Sequence, residues 1–352
     1  MKTFDYVEKK DYGKLFILFL ISLLINIFEI LGIGLLPVYI FSISSFEEFK
    51  MNSFLDSQFL SSLNFNEVLL FSSIILVFFF IIKNLLTIFF YKVEIRLFSN
   101  FVTNNASKLF KFYLEKPYAF YENINPSEII KNISVSNHQA ADVLKSKITI
   151  IKELLLILFV VLMLMYVNTK TTLFILLLLI TFCVIFYYIY KKKIISIGTL
   201  AQSNQKEQFQ ILNDSFQGIR EVKIFKIESL MSKLFNKETE SLTFRFYLGA
   251  YYIKLPRIFY EIIAIVLMVI LIYVVVDNNQ DFNSSLPVLT LYLSALIRFI
   301  PSFTLINSSI NSINFHSEAE KIIIDKLKSI RELNEKVKNT DLEELNNKDS
   351  EL

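Results

Sequence analysis

Five of the ionisable residues inside the long apolar runs of this chain are notable, because a charge there is costly and usually faces a cavity or a partner. They are Glu29, Lys83, Arg257, Glu261 and Arg298. If the three cations Lys83, Arg257 and Arg298 face one cavity, they form a basic surface, and guanidinium groups bind phosphate oxygens in bidentate fashion. The sequence therefore predicts a site for a phosphate-bearing head group.

The same five residues also allow a plainer arrangement. Arg257 and Glu261 are four residues apart, so a helix places them on one face, where they form an ion pair. Lys83 and Arg298 have no acidic residue three or four positions away. Lys83 can instead extend toward the membrane surface, and Arg298 can pair with Glu29. The binding site and the internal ion pairs remain alternatives at this point.

The composition of the chain indicates that the apolar runs cross a membrane. Of its 352 residues, 54% are hydrophobic and only 20% are charged. The mean hydropathy of +0.50 is too high for an ordinary soluble protein. Only six Gly and six Pro occur, which favours long helices over a β-rich fold. Cys183 is a lone cysteine, and His138 and His316 are far apart without companion ligands, so no metal site is expected.

Six apolar runs are long enough to span a bilayer, which needs roughly 20 residues of helix. The runs are Leu15–Ile43, Val68–Phe90, Ile148–Val167, Thr171–Tyr190, Leu255–Val276 and Leu286–Ile306. Lys and Arg are concentrated in the N-terminal segment, in two long connections and after the last run. Because cytoplasmic connections are the ones enriched in these residues, both termini are predicted to be cytoplasmic. The predicted fold is all-α, a polytopic membrane protein with six transmembrane helices.

The connection between the first two runs, Ser45–Asn66, is predicted to lie on the outer side of the membrane. Its apolar residues recur at roughly helical spacing, with acidic residues between them. This pattern fits a short helix that lies on the membrane surface, and it fits equally well a loop that packs on the neighbouring spans.

The two long connections, Tyr91–Lys147 and Lys191–Lys254, are predicted to be cytoplasmic helical hairpins. Apolar residues persist in them at helical spacing, and glycine is nearly absent. Arms of about 25 residues would carry each hairpin roughly 40 Å beyond the membrane. Hairpins of this length favour an interaction with a partner in the cytoplasm.

Each hairpin has a predicted turn at its tip. The first is Tyr118–Glu128, with Pro126 at a helix start, and the second is Leu212–Ile219, where Gly218 breaks the helix and permits a sharp change of direction. Apolar side chains near both turns indicate an interaction site, although a solvated helical bundle without a partner is the alternative. The residues predicted to contact the partner are Tyr121, Glu122, Asn125, Glu128, Asp214, Phe216, Gln217 and Gly218.

The two turns resemble a known family. The second contains LNDSFQGIREVKIFKIE (Leu212–Glu228) and the first contains FYENINPSEIIKNI (Phe120–Ile133). Both are similar to the intracellular turns in the transmembrane domain of type IV ATP-binding cassette (ABC) exporters. The resemblance implies that the turns dock on nucleotide-binding domains, that ATP drives alternating access, and that the protein works as a homodimer.

Three further segments resemble the branch of this family that flips lipid-linked oligosaccharides. They are FEILGIGLLPVY (Phe28–Tyr39), KLPRIFYEIIAI (Lys254–Ile265) and SALIRFIPSFTLINSSINSI (Ser294–Ile313). This resemblance implies a glycolipid substrate in the bacterial inner membrane, with its pyrophosphate bound by Lys83, Arg257 and Arg298. One alternative is an exporter of a peptide, a drug or another lipid, which predicts an apolar cavity. The other alternative is a six-span receptor or scaffold that transports nothing. No nucleic-acid partner is expected.

The chain departs from the family pattern after the last span. No G-x-x-x-x-G-K-[ST] sequence occurs in it, so no loop can cradle the phosphates of ATP, and no catalytic residue is expected. The expected division is a transmembrane domain over residues 1–330 and, over 331–352, the start of a linker to a nucleotide-binding domain. We expect that domain either to be missing through truncation of the sequence or to be encoded as a separate subunit. ATP and Mg would bind to it, and no cofactor is expected in this chain.

Overall fold

Ten helices and one π-helical turn make up the part of the chain that the structure describes. This computed structural model describes residues 9–44, 46, 64–122, 125–277 and 282–332, and no strand occurs among them. The helices are α1 (Lys9–Ser44), α2 (Phe65–Leu114), α3 (Tyr118–Tyr121), α4 (Pro126–Lys131), α5 (Asn137–Val167), α6 (Thr169–Gln217), α7 (Ile219–Ile224), α8 (Glu228–Asp277), α9 (Phe282–Phe315) and α10 (317–332), with the π-helical turn (Asn132–Ser136) between α4 and α5.

Six of these helices are long and apolar enough to cross a membrane: α1, α2, α5, α6, α8 and α9. α2 and α8 have 50 residues each and α6 has 49. Such helices are about 75 Å long, more than twice the roughly 30 Å of a hydrocarbon core, so they continue beyond it as arms. The predicted class, an all-α membrane protein with six spans and two long helical hairpins, is confirmed.

The arms form two hairpins that point the same way. α2 and α5 form the first, with α3 and α4 at its tip, and α6 and α8 form the second, with α7 at its tip. The end of the molecule that carries both tips is called the arm end below. At the opposite end, Asn168 alone joins α5 to α6, and its side chain accepts a hydrogen bond of 3.1 Å from Thr171 N.

Aliphatic and aromatic side chains hold the spans together around α5 and α9. Leu156 and Val160 on α5 are fully buried, and they share one cluster with Tyr260 on α8 and with Ala295 and Phe303 on α9. α9 packs against α1, α5, α6 and α8. The pair α1–α2 therefore lies on one flank of this centre, and the pair α6–α8 lies on the other.

α10 follows α9 after a one-residue break at His316 and packs on the first hairpin. Ile323 and Leu327, one turn apart, are buried in the cluster that α2 and α5 form beyond the spans. Lys147 on α5 makes an ion pair of 2.5 Å with Glu320 on α10. The apolar runs in the sequence end at the last span, so this helix was not among the predicted elements.

Phe315, the last residue of α9, fills the space between the arms of the second hairpin. It is buried with Ile194 on α6 and Leu242 on α8. Two glycines face it: a Cβ atom at Gly198 would lie 2.8 Å from the carbonyl carbon of Phe315, and one at Gly249 would lie 2.6 Å from its ring. At Gly198 the close neighbour is backbone, so only glycine lets α6 come this close to the end of α9.

Two sequence predictions involve residues that the structure leaves undescribed. The predicted surface helix at Ser45–Asn66 falls almost entirely on residues 45 and 47–63, which lie outside the described residues. The predicted domain boundary at residue 330 falls inside α10. Residues 333–352 of the predicted linker lie outside the described residues. The boundary and the surface helix stay predictions.

Candidate functional site

A cavity of about 380 Å³ opens between α1, α2 and α9, within the spans. Its lining is apolar except for Ser294 and three ionisable side chains. The lining residues are Glu29, Gly32, Ile33 and Leu36 from α1, Phe80 and Lys83 from α2, and Ser294, Ile297, Arg298 and Pro301 from α9. Two of the three cations singled out in the sequence, Lys83 and Arg298, therefore meet at one site.

Glu29 holds the two cations of this cavity together. Its Oε1 is 3.1 Å from Lys83 Nζ, and its Oε2 is 2.9 Å from Arg298 Nε. All three side chains are largely buried, with 14% to 20% of their surface exposed. The pairing of Arg298 with Glu29 that the sequence allowed is present, and Lys83 joins the same carboxylate. Two cations thus share one carboxylate in a mostly apolar setting.

The charges continue from the cavity into α5. Glu153 is fully buried, and its Oε2 accepts a hydrogen bond of 2.7 Å from Ser302 Oγ and lies 3.6 Å from Arg298 Nη2. On its other side, Glu153 Oε1 is 3.2 Å from Lys152 Nζ. We call Lys83, Glu29, Arg298, Glu153 and Lys152 the charge network. It contains three cations and two carboxylates, so it carries one positive charge in excess.

The residues Lys152 and Glu153 were missed in the sequence, although a signal was present. Both lie in the third apolar run, in IIKELLLIL, where an ionisable side chain is expected to face a partner. Adjacent residues of opposite charge look like a self-contained pair near the end of a span. The structure instead connects them to Arg298 on a different helix.

Arg257 occupies a different position from the other two cations. It lies on α8, its side chain is 71% exposed, and its Nε is 2.9 Å from Glu261 Oε1. The predicted ion pair between Arg257 and Glu261 is therefore confirmed. Arg257 is not among the residues that line the cavity of Lys83 and Arg298. Whether it binds substrate stays a prediction.

The tip of the first hairpin has the helix start that the sequence predicts. α4 begins at Pro126, and the side chain of Asn125 accepts a hydrogen bond of 2.9 Å from Ser127 N, which caps the helix. Tyr121 donates its hydroxyl to the carbonyl of Tyr113 and so ties α3 back to the end of α2. Glu122 is exposed beside it.

The tip of the second hairpin differs from the prediction in its backbone. α6 ends at Gln217 and α7 begins at Ile219, so Gly218 does interrupt the helix. Its φ of −91° is accessible to any residue, however, and Gly218 N simply continues the helical hydrogen bonding to Asp214 O at 2.9 Å. The left-handed residue of this tip is Lys226, with φ 53°, just beyond α7. The predicted role of glycine in the change of direction is wrong.

The two tips meet in one shallow groove, which we call the tip groove. Lys206 on α6 joins Glu128 on α4 through an ion pair of 2.9 Å. The groove has a volume of about 370 Å³ and is lined by Ser127, Ile130, Phe209, Leu212, Asn213, Phe216 and Gln217. Phe216 is 72% exposed at its rim, and Asp214 is exposed nearby. An exposed aromatic side chain on a polar tip is typical of a surface that a partner covers.

No group of three His, Cys, Asp or Glu is placed to hold a metal ion in the part of the chain that the structure describes. The arrangement is one for binding and for movement: buried charges between spans, and long arms that end in a shared groove.

A scan against protein families agrees with this arrangement of spans and arms. The family described as the ABC transporter transmembrane region matches residues 13–300, from α1 into α9. Members of this family generally pair with nucleotide-binding domains and dimerise. The chain therefore belongs to the family of ABC transporter transmembrane regions and forms the permease part of an ABC exporter.

Proposed function

We propose that this permease flips or exports a lipid-linked oligosaccharide, or a related glycolipid with a phosphate-bearing head group, as a homodimer driven by ATP. The observation that carries the proposal is the cavity in which Lys83 and Arg298 share the single carboxylate of Glu29. A buried cation without full compensation is costly in a membrane. An anionic head group in the cavity would supply the missing negative charge.

The shape of the cavity fits a lipid as well as an anion. Phe80 and Ile297 line it, and Ile297 is largely exposed at its edge, so the cavity opens on an apolar surface of the spans. A head group can bind the two cations while the hydrocarbon tail stays in the apolar surroundings. Arg298 can engage phosphate oxygens with two parallel hydrogen bonds, while Lys83 acts as a point charge.

The tip groove is the proposed contact with the nucleotide-binding domain, whether that domain is in the same polypeptide or in another. ATP and Mg would bind to the nucleotide-binding domain, since no loop in this chain can cradle the phosphates of ATP. Closure of two such domains would push on the tips and rock the arms, which alternates access to the cavity. The arm end and both termini are then cytoplasmic, and the membrane is the bacterial inner membrane.

Flipping by reconstituted protein tests the substrate. The permease would be reconstituted in vesicles with its nucleotide-binding partner, and ATP-dependent loss of a fluorescent polyprenyl diphosphate saccharide from one leaflet would be followed. Lys83→Gln and Arg298→Gln should each lower the rate about tenfold or more, because each removes a charge-assisted contact. Lys170→Gln, which removes an exposed cation at the opposite end from the arms, serves as the matched control.

The outcome that contradicts the proposal is an unchanged rate in both cavity variants. Faster transport of a neutral amphiphile than of the diphosphate would instead favour the alternative, an exporter of drugs, peptides or other lipids. Arg257→Gln belongs in the same series. A loss as large as that of Arg298→Gln would mean that Arg257 reaches the head group in the assembled transporter.

A further inference from the structure

A second cavity lies at the arm-end edge of the spans, between the beginning of α1 and the beginning of the apolar part of α5. We call it the α1–α5 groove. It has a volume of about 370 Å³ and is lined by Tyr12, Leu15, Phe16, Phe19, Ser22, Ile148, Ile151 and Lys152. Phe16 is 60% exposed and Ile151 is 42% exposed, so the groove opens on the surface of the spans in this chain.

The groove combines an apolar trough with one cation. The aliphatic and phenyl side chains of the lining provide a surface for a hydrocarbon chain. Among the described residues that line the groove, Lys152 is the only Lys or Arg, and 19% of its side chain is exposed. It lies one turn inside the third apolar run, so the length of that run places it near the arm-end boundary of the hydrocarbon core. Basic pockets between spans are sites for lipid head groups.

The partners of Lys152 leave room for an anion. Its Nζ is 3.2 Å from Glu153 Oε1 and 5.4 Å from the ring centroid of Phe90. Glu153 also pairs with Arg298 and accepts a hydrogen bond from Ser302, so Lys152 shares its negative charge with these two residues. The charge network as a whole has three cations for two carboxylates, and Lys152 is the member that reaches this outward-facing groove. A phosphodiester on Lys152 would give its ammonium group an acceptor that it does not share with Arg298.

We propose that the α1–α5 groove binds an anionic phospholipid of the arm-end leaflet, with one acyl chain in the trough and the phosphate on Lys152. This site is separate from the cavity of Lys83 and Arg298, and it does not depend on what the transporter carries. The bound phosphate competes with Glu153 for the ammonium group of Lys152, which leaves more of the Glu153 carboxylate to Arg298. Lipid composition would thereby act on the inner cavity through the network.

The absence of tryptophan from the chain makes a direct test possible. Phe16→Trp places a single fluorescent reporter in the groove of the otherwise unchanged protein. The variant would be reconstituted in phosphatidylcholine vesicles that contain either brominated phosphatidylcholine or brominated phosphatidylglycerol, because bromine quenches tryptophan at contact. We expect phosphatidylglycerol to bind about fivefold more tightly at this reporter, which corresponds to one cation near the surface.

A second reporter separates the groove from general attraction to a basic surface. Ile88 lies at the same end of the second apolar run, one turn from the exposed Lys92, and outside the groove. In the Ile88→Trp variant we expect a weaker preference for phosphatidylglycerol, because Lys92 is exposed and no groove holds the lipid beside it. An equal preference in both variants, or none in the Phe16→Trp variant, would overturn the proposal, and neither outcome requires a change at Lys152.

Charge variants then identify the cation. In the Phe16→Trp background, Lys152→Gln should bring the binding ratio of the two lipids to about one, whereas Lys152→Arg should keep it near fivefold. Lys92→Gln removes an exposed lysine from the neighbouring span and should leave the ratio unchanged. A preference that survives in monodisperse Lys152→Gln protein would overturn the proposal.

Discussion

Gly198 on α6 lies against the backbone carbonyl of Phe315, at the point where α9 ends. A Cβ atom at position 198 would overlap the carbonyl oxygen of Phe315 and lie 2.8 Å from its carbonyl carbon, so the backbone itself would have to move. At Gly249 the added atom would meet the ring of Phe315, a side chain that can turn aside. Gly198→Ala should therefore lower the free energy of unfolding by about 1–3 kcal/mol, and Gly249→Ala by less.

Thermal unfolding of the purified protein in detergent measures this difference. Gly13→Ala is the control, because a Cβ at that position would meet no described atom within 4 Å outside its chain neighbours and the nearby backbone of its own helix. It should leave stability unchanged or raise it by less than about 1 kcal/mol, since alanine favours a helix. A loss at Gly13 equal to the loss at Gly198 would contradict the crowding at Phe315.

Removing the charge of Glu153 should cost much more than removing that of Glu261. Glu153 is fully buried beside Arg298 and Lys152, whereas Glu261 is about half exposed in its pair with Arg257. Glu153→Gln keeps the shape but leaves two cations with less compensation, and we expect a loss of about 3 kcal/mol in the free energy of unfolding. Glu261→Gln should cost less than about 1 kcal/mol. A double variant, Glu153→Gln with Arg298→Gln, should recover part of the loss, and failure to do so would disprove the coupling.

Phe216 should matter for the partner and not for the fold. It is 72% exposed at the rim of the tip groove, so Phe216→Ala should leave thermal stability unchanged. Its loss should weaken the affinity for the nucleotide-binding partner about tenfold, the effect of an aromatic anchor at an interface. Phe225→Ala is the matched control, since Phe225 is 71% exposed on the same tip but outside the groove. Titration of the nucleotide-binding partner with each variant measures the two affinities. Equal affinities of the Phe216→Ala and Phe225→Ala variants would show that Phe216 is not part of the contact.

His316 should make the protein less stable in mild acid. Burial at the break between α9 and α10 lowers the pKa of His316 from 6.5 to about 4. Between these two values the unfolded chain binds a proton at this position that the folded chain excludes, so stability falls as the pH falls below about 6.5. At about pH 5 the loss should be about 2 kcal/mol relative to neutral pH.

Unfolding temperatures at about pH 7.5 and about pH 5 test this for matched histidine variants. His316→Gln should lose this part of the pH dependence, because its side chain does not titrate. His138→Gln changes the other histidine of the chain, an exposed side chain on α5, and the pH dependence of stability should remain in this variant. The same pH dependence in all three proteins would show that other groups cause it.

Local sequence patterns predicted the elements of this fold well. Apolar runs predicted the six spans, and Asn125 before Pro126 predicted the start of α4, because a capping side chain and a proline act on their own helix. The pair of Arg257 and Glu261 is local in the same sense, four residues apart on one helix. Each of these features depends on neighbours within about one helical turn.

The charge network could not be predicted in this way. Lys83, Glu29 and Arg298 come from three helices, and nothing in their local sequence states which helices are adjacent. The sequence offered Glu29 as a partner of Arg298, but it did not place Lys83 on the same carboxylate. Glu153 was visible as a charge in an apolar run, yet its partner Ser302 is 149 positions away. Packing of distant helices decides such contacts.

α6 extends without a proline from Asn168 to the tip groove, a length of about 73 Å. A rod of this kind converts rotation into displacement. If its end at Asn168 stays fixed, a tilt of about 5° moves Phe216 sideways by about 6 Å, more than one helical turn. A small tilt of α6 in the membrane therefore produces a large displacement at the nucleotide-binding partner. The ratio of displacement to tilt is determined by the number of residues in α6.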